Sequence, residues 1–403
     1  MTEKTPDLVL SANMLNSDPV SQYLLKIVMD AVSDGASDIH FEPYQHCYRI
    51  RVRCDGILIN RETPPTHFTR RFASLIKVLA KMDISESRLP QDGHVQLQLS
   101  HDSTLDMRVS TLPCQWGEKL VLRLQDKKAS AFSVNELGFN RQQQKLFLKA
   151  IKHSQGMVII TGPTGSGKTA TLYTALDILN REELNICTAE NPVEIDISGI
   201  NQVEVNEKTG LSFSLALKSF LRQDPDIIML GEIRDNETAA IAIKSAQTGH
   251  LLLTTLHSNS TVEALGRLSN MGISSFNLLE SLILVIAQRL VRRLCPSCKT
   301  TSSLSEQQSQ ALGFKSDKAI FRANASGCEQ CKAGYKGRIG LFEMLWLDQE
   351  LKSAIRQNIP PSQLCAIAQQ QGMQTLKESA FYLIADGLTS LDEIQRVIDI
   401  EEC

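Results

Sequence analysis

The sequence predicts an α/β protein built from more than one domain. Between residues 134 and 293, short apolar segments alternate with helical ones, which is typical of a mostly parallel sheet flanked by helices. One apolar segment, at residues 157–161, leads directly into a glycine-rich turn and a further helical segment. A chain of 403 residues is also too long for one ordinary domain. We therefore expect an α/β core that is accompanied by smaller domains.

The glycine-rich turn reads GPTGSGKT and fits the phosphate-binding pattern G-x-x-x-x-G-K-[ST] in the strand–loop–helix context that it requires. Glycines let backbone N–H groups approach phosphates, and the following helix N-terminus favours an anion. Lys168 would reach the β- and γ-phosphates, and the Thr169 hydroxyl would bind Mg²⁺. The expected nucleoside triphosphate is ATP, bound by Gly162, Pro163, Thr164, Gly165, Ser166, Gly167, Lys168, Thr169 and Ala170. The alternative is an accidental turn between a strand and a helix.

Glu232 is the predicted catalytic carboxylate. The apolar run at residues 227–230 delivers Gly231 and Glu232 to its C-terminal end, where ligands bind in such sheets. There Glu232 would act on the attacking water. Gly231 stands where such strands usually carry an acid, so the metal would rely on Thr169, water and Glu232. A solvated surface acid is the alternative.

Glu190 and Glu194 form a second acidic cluster, AENPVE, after the run at residues 186–189. Glu190 would hold water or metal opposite the phosphate loop, or it would merely cap the turn with Pro192. These two alternatives remain open in the sequence.

Two histidines flank the apolar run at residues 251–255. His257 follows it, at the ligand end, where an imidazole can donate to the γ-phosphate. His250 precedes it and is either a structural histidine or an interface residue.

Four cysteines form two C-x2-C pairs, which suit tetrahedral Zn²⁺ bound by four thiolates. The loop between the pairs is longer than in a compact zinc ribbon and is interpreted as an insert. Such a closed site would be structural, and four unmetallated thiols are the alternative. The predicted ligands are Cys295, Cys298, Cys328 and Cys331.

Composition and patterning set the remaining expectations. A formal net charge of −3 and an aromatic content of 5% argue against direct nucleic-acid binding. No apolar run is long enough to span a membrane and no secretion signal is found, so a cytoplasmic protein is expected. The predicted divisions are an N-terminal α+β domain at 1–127, a linker at 128–133, the core at 134–293, a tetracysteine subdomain at 294–340 and a helical subdomain at 341–403.

Taken in order, GPTGSGKT, AENPVE, DPDIIMLGEIRD and TGHLLLTTLH resemble the motifs of the ATPases of type II secretion and type IV pilus assembly. ASDIHFEP, LPQDGH, DMRVSTLP, GEKLVLRL and GLTSLDE extend the resemblance over almost the whole chain. It implies a RecA-like P-loop ATPase core with a PAS-like N-terminal α+β domain and a small zinc-binding insert. The four cysteines point to the assembly class, because retraction ATPases generally lack them.

The resemblance also implies a homo-hexamer that lies in the cytoplasm against the inner membrane and drives a membrane platform protein. In this family, arginines of the N-terminal domain approach the nucleotide, and the matching positions are Arg108 and Arg123. A solvated strand face is the alternative for both. His94 replaces a family arginine, and no further N-terminal docking domain is recognised, so docking is expected to use other surfaces.

Several functions stay open at this level. The filament could be a type IV pilus, a competence pilus or a secretion pseudopilus. A nucleic-acid-stimulated P-loop motor and a nucleotide-gated scaffold without turnover are the alternatives from other classes. Stimulation of ATPase activity by DNA would favour the first, and nucleotide binding without turnover would favour the second.

Overall fold

The computed structural model describes residues 10–11, 18–65, 68–100, 103–125, 133–303, 319–357 and 359–399. The chain forms two compact units, Met1–Ser130 and Ala131–Cys403, each with a sheet of its own. Of the predicted linker at 128–133, only residue 133 is among the described residues. Helices and strands are numbered below in chain order.

The first unit is a seven-stranded sheet with helices packed on one face. The strand order is β1-β5-β6-β7-β2-β3-β4; β1 and β5 are parallel, and the other neighbours are antiparallel. Its elements are β1 (Leu10–Ser11), α1 (Pro19–Ser33), β2 (Ala36–Pro43), β3 (Tyr48–Cys54), β4 (Ile57–Asn60), α2 (Thr69–Leu79), β5 (Gln91–Ser100), β6 (Ser103–Cys114) and β7 (Gly117–Gln125).

Helix α1 shows how local sequence sets this unit. The Asp18 carboxylate accepts hydrogen bonds from the backbone N–H groups of Val20 and Ser21, and Pro19 occupies the first turn. One face of the helix is buried with the strands in a core that contains the stacked rings of Tyr48 and Phe72, 5.9 Å apart. The alternate residues of the strands therefore face away from this core.

The second unit holds a seven-stranded sheet with helices on both faces. The order is β10-β9-β11-β12-β8-β13-β16, in which every neighbouring pair is parallel except β13 and β16. Its strands are β8 (Gly156–Thr161), β9 (Ile186–Glu190), β10 (Asn201–Glu204), β11 (Ile227–Leu230), β12 (Leu251–Leu256), β13 (Leu282–Leu294) and β16 (Tyr335–Trp346), with β14 (Thr300–Ser302) and β15 (Ile320–Arg322) forming a separate ribbon.

The helices of the second unit connect these strands and cover the sheet. They are α3 (Arg141–Ala150), α4 (Lys168–Leu179), α5 (Phe213–Phe220), α6 (Asn236–Gln247), α7 (Thr261–Asn270), α8 (Ser275–Ser281), α9 (Gln349–Arg356), α10 (Pro361–Gln370), α11 (Leu376–Ala385) and α12 (Leu391–Val397). No helix in the described part of the chain combines the length and apolar character needed to span a bilayer.

The α/β class and the four apolar strands of the core are confirmed, but the sheet is larger than those four strands. Strand β13 is buried along nearly its whole length, so it lacks the alternation that marks a half-buried strand. It continues past residue 293, and its partner β16 runs across residue 340. The cysteine-rich segment therefore connects the end of β13 to the start of β16.

Candidate functional site

The phosphate-binding loop joins β8 to α4, and its backbone requires glycine. Gly162 has a φ of 151°, and a Cβ there would lie 2.4 Å from the carbonyl oxygen of Gln288. Gly165 and Gly167 have φ of 79° and 89°, which other residues rarely adopt. A Cβ on Gly165 would meet no heavy atom within 4 Å, so this side of the loop is open. The loop thus offers its backbone to a ligand from that side.

Lys168 and Ser166 supply the side chains of this loop. The Lys168 ammonium donates to the carbonyl oxygens of Gly162, at 2.8 Å, and Pro163, at 3.1 Å. Burial lowers the pKa of Lys168 to about 8, and the nearby Glu232 carboxylate opposes this shift. The Ser166 hydroxyl is buried without a hydrogen-bond partner among the described residues. An unsatisfied hydroxyl and a desolvated ammonium fit a phosphate group as ligand.

Glu232 and His257 lie at the carboxyl ends of β11 and β12, the same sheet edge that carries the loop. Glu232 Oε2 lies 3.4 Å from His257 Nε2, and Oε1 accepts a 2.6 Å hydrogen bond from Arg234. Burial would raise the pKa of Glu232, but Arg234 and His257 outweigh it, so the pKa is lowered. Burial and the Lys168 charge lower the pKa of His257. The site therefore pairs an ionised carboxylate with a neutral imidazole.

Glu190 ends β9 at the same edge, but protein donors occupy its carboxylate. Thr188 Oγ1 and Gln202 Nε2 donate to Oε1 over 2.6 and 3.1 Å, and the Tyr173 hydroxyl donates to Oε2. The same hydroxyl accepts a hydrogen bond from the Glu194 N–H. Glu190 thus fixes helix α4 and the chain that follows β9 as a hydrogen-bonding residue.

Three polar residues that the sequence analysis missed complete the surroundings. Gln288 of β13 accepts a 2.8 Å hydrogen bond from Thr171 in α4, and Arg289 follows it. Arg234 follows Glu232 by two positions and binds it. Polar residues inside the apolar run of β13 are the signal that could have identified Gln288 and Arg289.

His250 Nδ1 donates to the Ser245 carbonyl oxygen at 3.0 Å, as expected of a structural histidine.

Arg108 and Arg123 lie in the first unit, directly opposite each other on β6 and β7. Cross-strand partners share one face of a sheet. Arg123 Nε donates to the buried Asp38 carboxylate over 3.1 Å. His94 lies opposite Arg108 on β5, and its Nε2 is 2.8 Å from Asp106 Oδ1. These side chains form a polar row across the sheet.

The four cysteines converge after β13 and before β16. Their sulfur atoms all lie within 4.8 Å of one another, with Sγ–Sγ distances of 3.8 Å for Cys295–Cys328 and 3.5 Å for both Cys298–Cys331 and Cys328–Cys331. Zinc–sulfur bonds of about 2.3 Å in a tetrahedron would require sulfur–sulfur distances of about 3.8 Å. The cluster is therefore compatible with Zn²⁺.

The fold and this site define a P-loop protein with an α/β core. The family model described as "Type II/IV secretion system protein" matches residues 13–396, and the chain belongs to this family. The predicted resemblance is thus confirmed.

Curated relatives show which members of this family the chain is similar to. The type IV pilus assembly ATPases PilB of Acinetobacter baylyi and Pseudomonas aeruginosa are 49% and 47% identical, each over 94% of this chain. The chain spans 66% and 67% of their lengths, about two thirds. The type II secretion system ATPase E of Vibrio cholerae is 39% identical over 97% of this chain and 78% of its own length.

Solved structures share the fold. The Legionella pneumophila ATPase DotB superposes with a TM-score of 0.69 at 20% identity, covering 97% of this chain and 99% of DotB. The pilus retraction motor PilT gives a TM-score of 0.63 at 24% identity, covering 92% and 95%.

Proposed function

We propose that this chain hydrolyses ATP to power assembly of a type IV pilus or a type II secretion pseudopilus at the inner membrane. The observation that carries the proposal is the convergence of Lys168, Glu232 and His257 at one sheet edge beside the glycine-rich loop. The names of the curated relatives support the pilus and secretion setting. They give no support to the nucleic-acid alternative.

Each residue has a distinct role in this chemistry. The backbone N–H groups of the loop and the Lys168 ammonium hold the β- and γ-phosphates. Glu232, kept ionised by Arg234 and His257, orients the attacking water and accepts its proton as the general base. His257 donates a hydrogen bond to the γ-phosphate as charge develops there. Mg²⁺ at the Thr169 hydroxyl would neutralise charge on the phosphate oxygens.

The remaining parts of the proposal concern assembly. We expect a homo-hexamer in the cytoplasm, peripherally associated with the inner membrane and acting on a membrane platform protein. Arg108 and Arg123 approach the nucleotide in that ring, and their cross-strand pairing supports a common role. Zn²⁺ at the four cysteines has a structural role, since four thiolates leave no open position.

Two variants test the nucleotide chemistry separately. Lys168→Ala should lose affinity for a fluorescent ATP analogue and lose hydrolysis, because it removes a phosphate ligand. Glu232→Gln should bind the analogue normally and lose hydrolysis, because its amide cannot serve as the carboxylate base. Glu237→Gln is the control, since Glu237 is exposed and pairs with Lys218 on the surface. Parental turnover in Glu232→Gln would refute the assignment of the carboxylate.

A further inference from the structure

Arg289 is a buried cation beside the phosphate-binding loop. Arg289 lies two residues after Ala287 of β13, which pairs with Thr161, the last residue of β8. Only 8% of the residue is exposed. Its Nη1 donates to the Gln288 carbonyl oxygen at 3.1 Å and lies 3.3 Å from the place where a Cβ on Gly162 would stand. The guanidinium is therefore packed against the first residue of the loop.

The same guanidinium reaches the loop that carries His257. Its Nη2 donates to the backbone carbonyl oxygen of Asn259 at 3.0 Å and to its side-chain Oδ1 at 3.3 Å. This segment is held from another side by Thr161 Oγ1, which accepts a 2.9 Å hydrogen bond from Ser258 N–H. Arg289 thus joins the start of the phosphate loop to the segment two residues beyond His257.

The positive charge of Arg289 is only partly balanced. Among the described residues, no carboxylate forms an ion pair with it, and Glu343 and Glu263 attract it only over longer distances. Glu343 already accepts hydrogen bonds from the backbone and hydroxyl of Thr261. The charges of Arg289 and Lys168 repel each other. An uncompensated buried charge is costly, and an anion bound at the adjacent loop would offset that cost.

We propose that Arg289 is a positioning residue of the nucleotide site. Its fixed charge draws the phosphates of a nucleoside di- or triphosphate into the loop, and its bonds to Asn259 hold His257 in place. The inference rests on the proposed function, because it concerns the same site. Its consequence is that removing the charge weakens binding more as the number of phosphates increases.

The test compares a charge-removing and a charge-preserving variant. Arg289→Gln removes the charge, whereas Arg289→Lys keeps it but loses the two-point contact with Asn259. Arg292→Gln is the matched control on the same strand, since Arg292 pairs with Glu393 at 2.7 Å and lies over Tyr335, 3.8 Å from the ring centroid. Equilibrium affinities for ATP, ADP and AMP, together with the turnover of ATP, are measured for the parent and all three variants.

Because the attraction between the buried guanidinium and a partly buried phosphate is only weakly screened, Arg289→Gln should weaken ATP binding by about tenfold or more. AMP binding should change much less, and Arg289→Lys should bind ATP within about threefold of the parent while turnover falls. An equal loss for all three nucleotides, or no loss, would overturn the proposal. Should Arg289→Gln not fold, a large loss of ATP affinity in Arg289→Lys would overturn it. A parent protein that binds ATP without hydrolysing it would instead contradict the proposed function.

Discussion

Replacing Gly162 by alanine tests whether the conformation of the phosphate loop is as strained as the structure indicates. A non-glycine residue at its φ of 151° costs of order 1–3 kcal/mol. The new Cβ would also lie 2.4 Å from the Gln288 carbonyl oxygen and 2.7 Å from Ser166 Oγ, and such overpacking costs about 1–3 kcal/mol. The free energy of unfolding should therefore fall by about 2–6 kcal/mol.

Gly210→Ala is the matched control. Gly210 has a φ of 83°, but a Cβ there would meet no heavy atom within 4 Å. Only the conformational cost of about 1–2 kcal/mol applies. Thermal unfolding followed by circular dichroism, with and without ATP, measures both effects, since 1 kcal/mol corresponds to about 2–4 °C in Tm for a domain of this size.

Gly162→Ala should therefore lower Tm more than Gly210→Ala, and ATP should no longer raise its Tm. The control should keep the full ATP-dependent increase, because Gly210 lies outside the loop. Equal decreases in the two variants would refute the steric argument, and so would an unchanged ATP response in Gly162→Ala.

Three further expectations concern the pH dependence and the cysteines. Because burial lowers the pKa of Lys168 to about 8, ATP affinity should fall as pH rises through 8, and a flat affinity between pH 7 and 9 would contradict this. Burial would raise the pKa of Glu393, but Arg396 and Arg292 lower it, so its contribution to stability is present above its unfolded pKa and is lost as pH falls through its folded pKa. Glu393→Gln should therefore lose less stability than the parent protein as pH falls, as measured by denaturant midpoints. Equal losses in the variant and the parent would contradict this expectation. Cys328→Ser should lower the zinc content of reduced protein from about one ion per chain and increase proteolysis around the cluster, whereas parental protein without zinc would contradict the site.

The phosphate loop was predictable because its chemistry fixes residue types at fixed local spacing. Gly162 and Lys168 are recognisable without any knowledge of distant contacts. The strand β13 was not predictable, because it is buried on both faces and carries Gln288 and Arg289 within an apolar run. Their burial depends on β8, more than a hundred positions earlier in the chain.

Glu190 illustrates the same limit within the site. Its sequence context allowed both a ligand and a structural residue. Thr188, two positions away, is one donor to its carboxylate, but the other two, Tyr173 and Gln202, lie 17 and 12 positions away and meet it only in the folded protein. The local pattern predicts that such a residue lies at the carboxyl end of a strand, beside the site, but its role depends on tertiary contacts.

Strand β13 connects Gln288 and Arg289, which pack against the phosphate loop, to the cysteine cluster. Arg289 and Cys295 are six positions apart, which is about 20 Å of extended chain. Strand β13 pairs with β8 as far as Ala287 and with β16 as far as Leu294, and it cannot slip by one residue without turning every side chain to the opposite face. A movement of the loop would therefore displace the whole strand and, with it, the cysteines. A metal ion bound at the cluster would restrain that displacement.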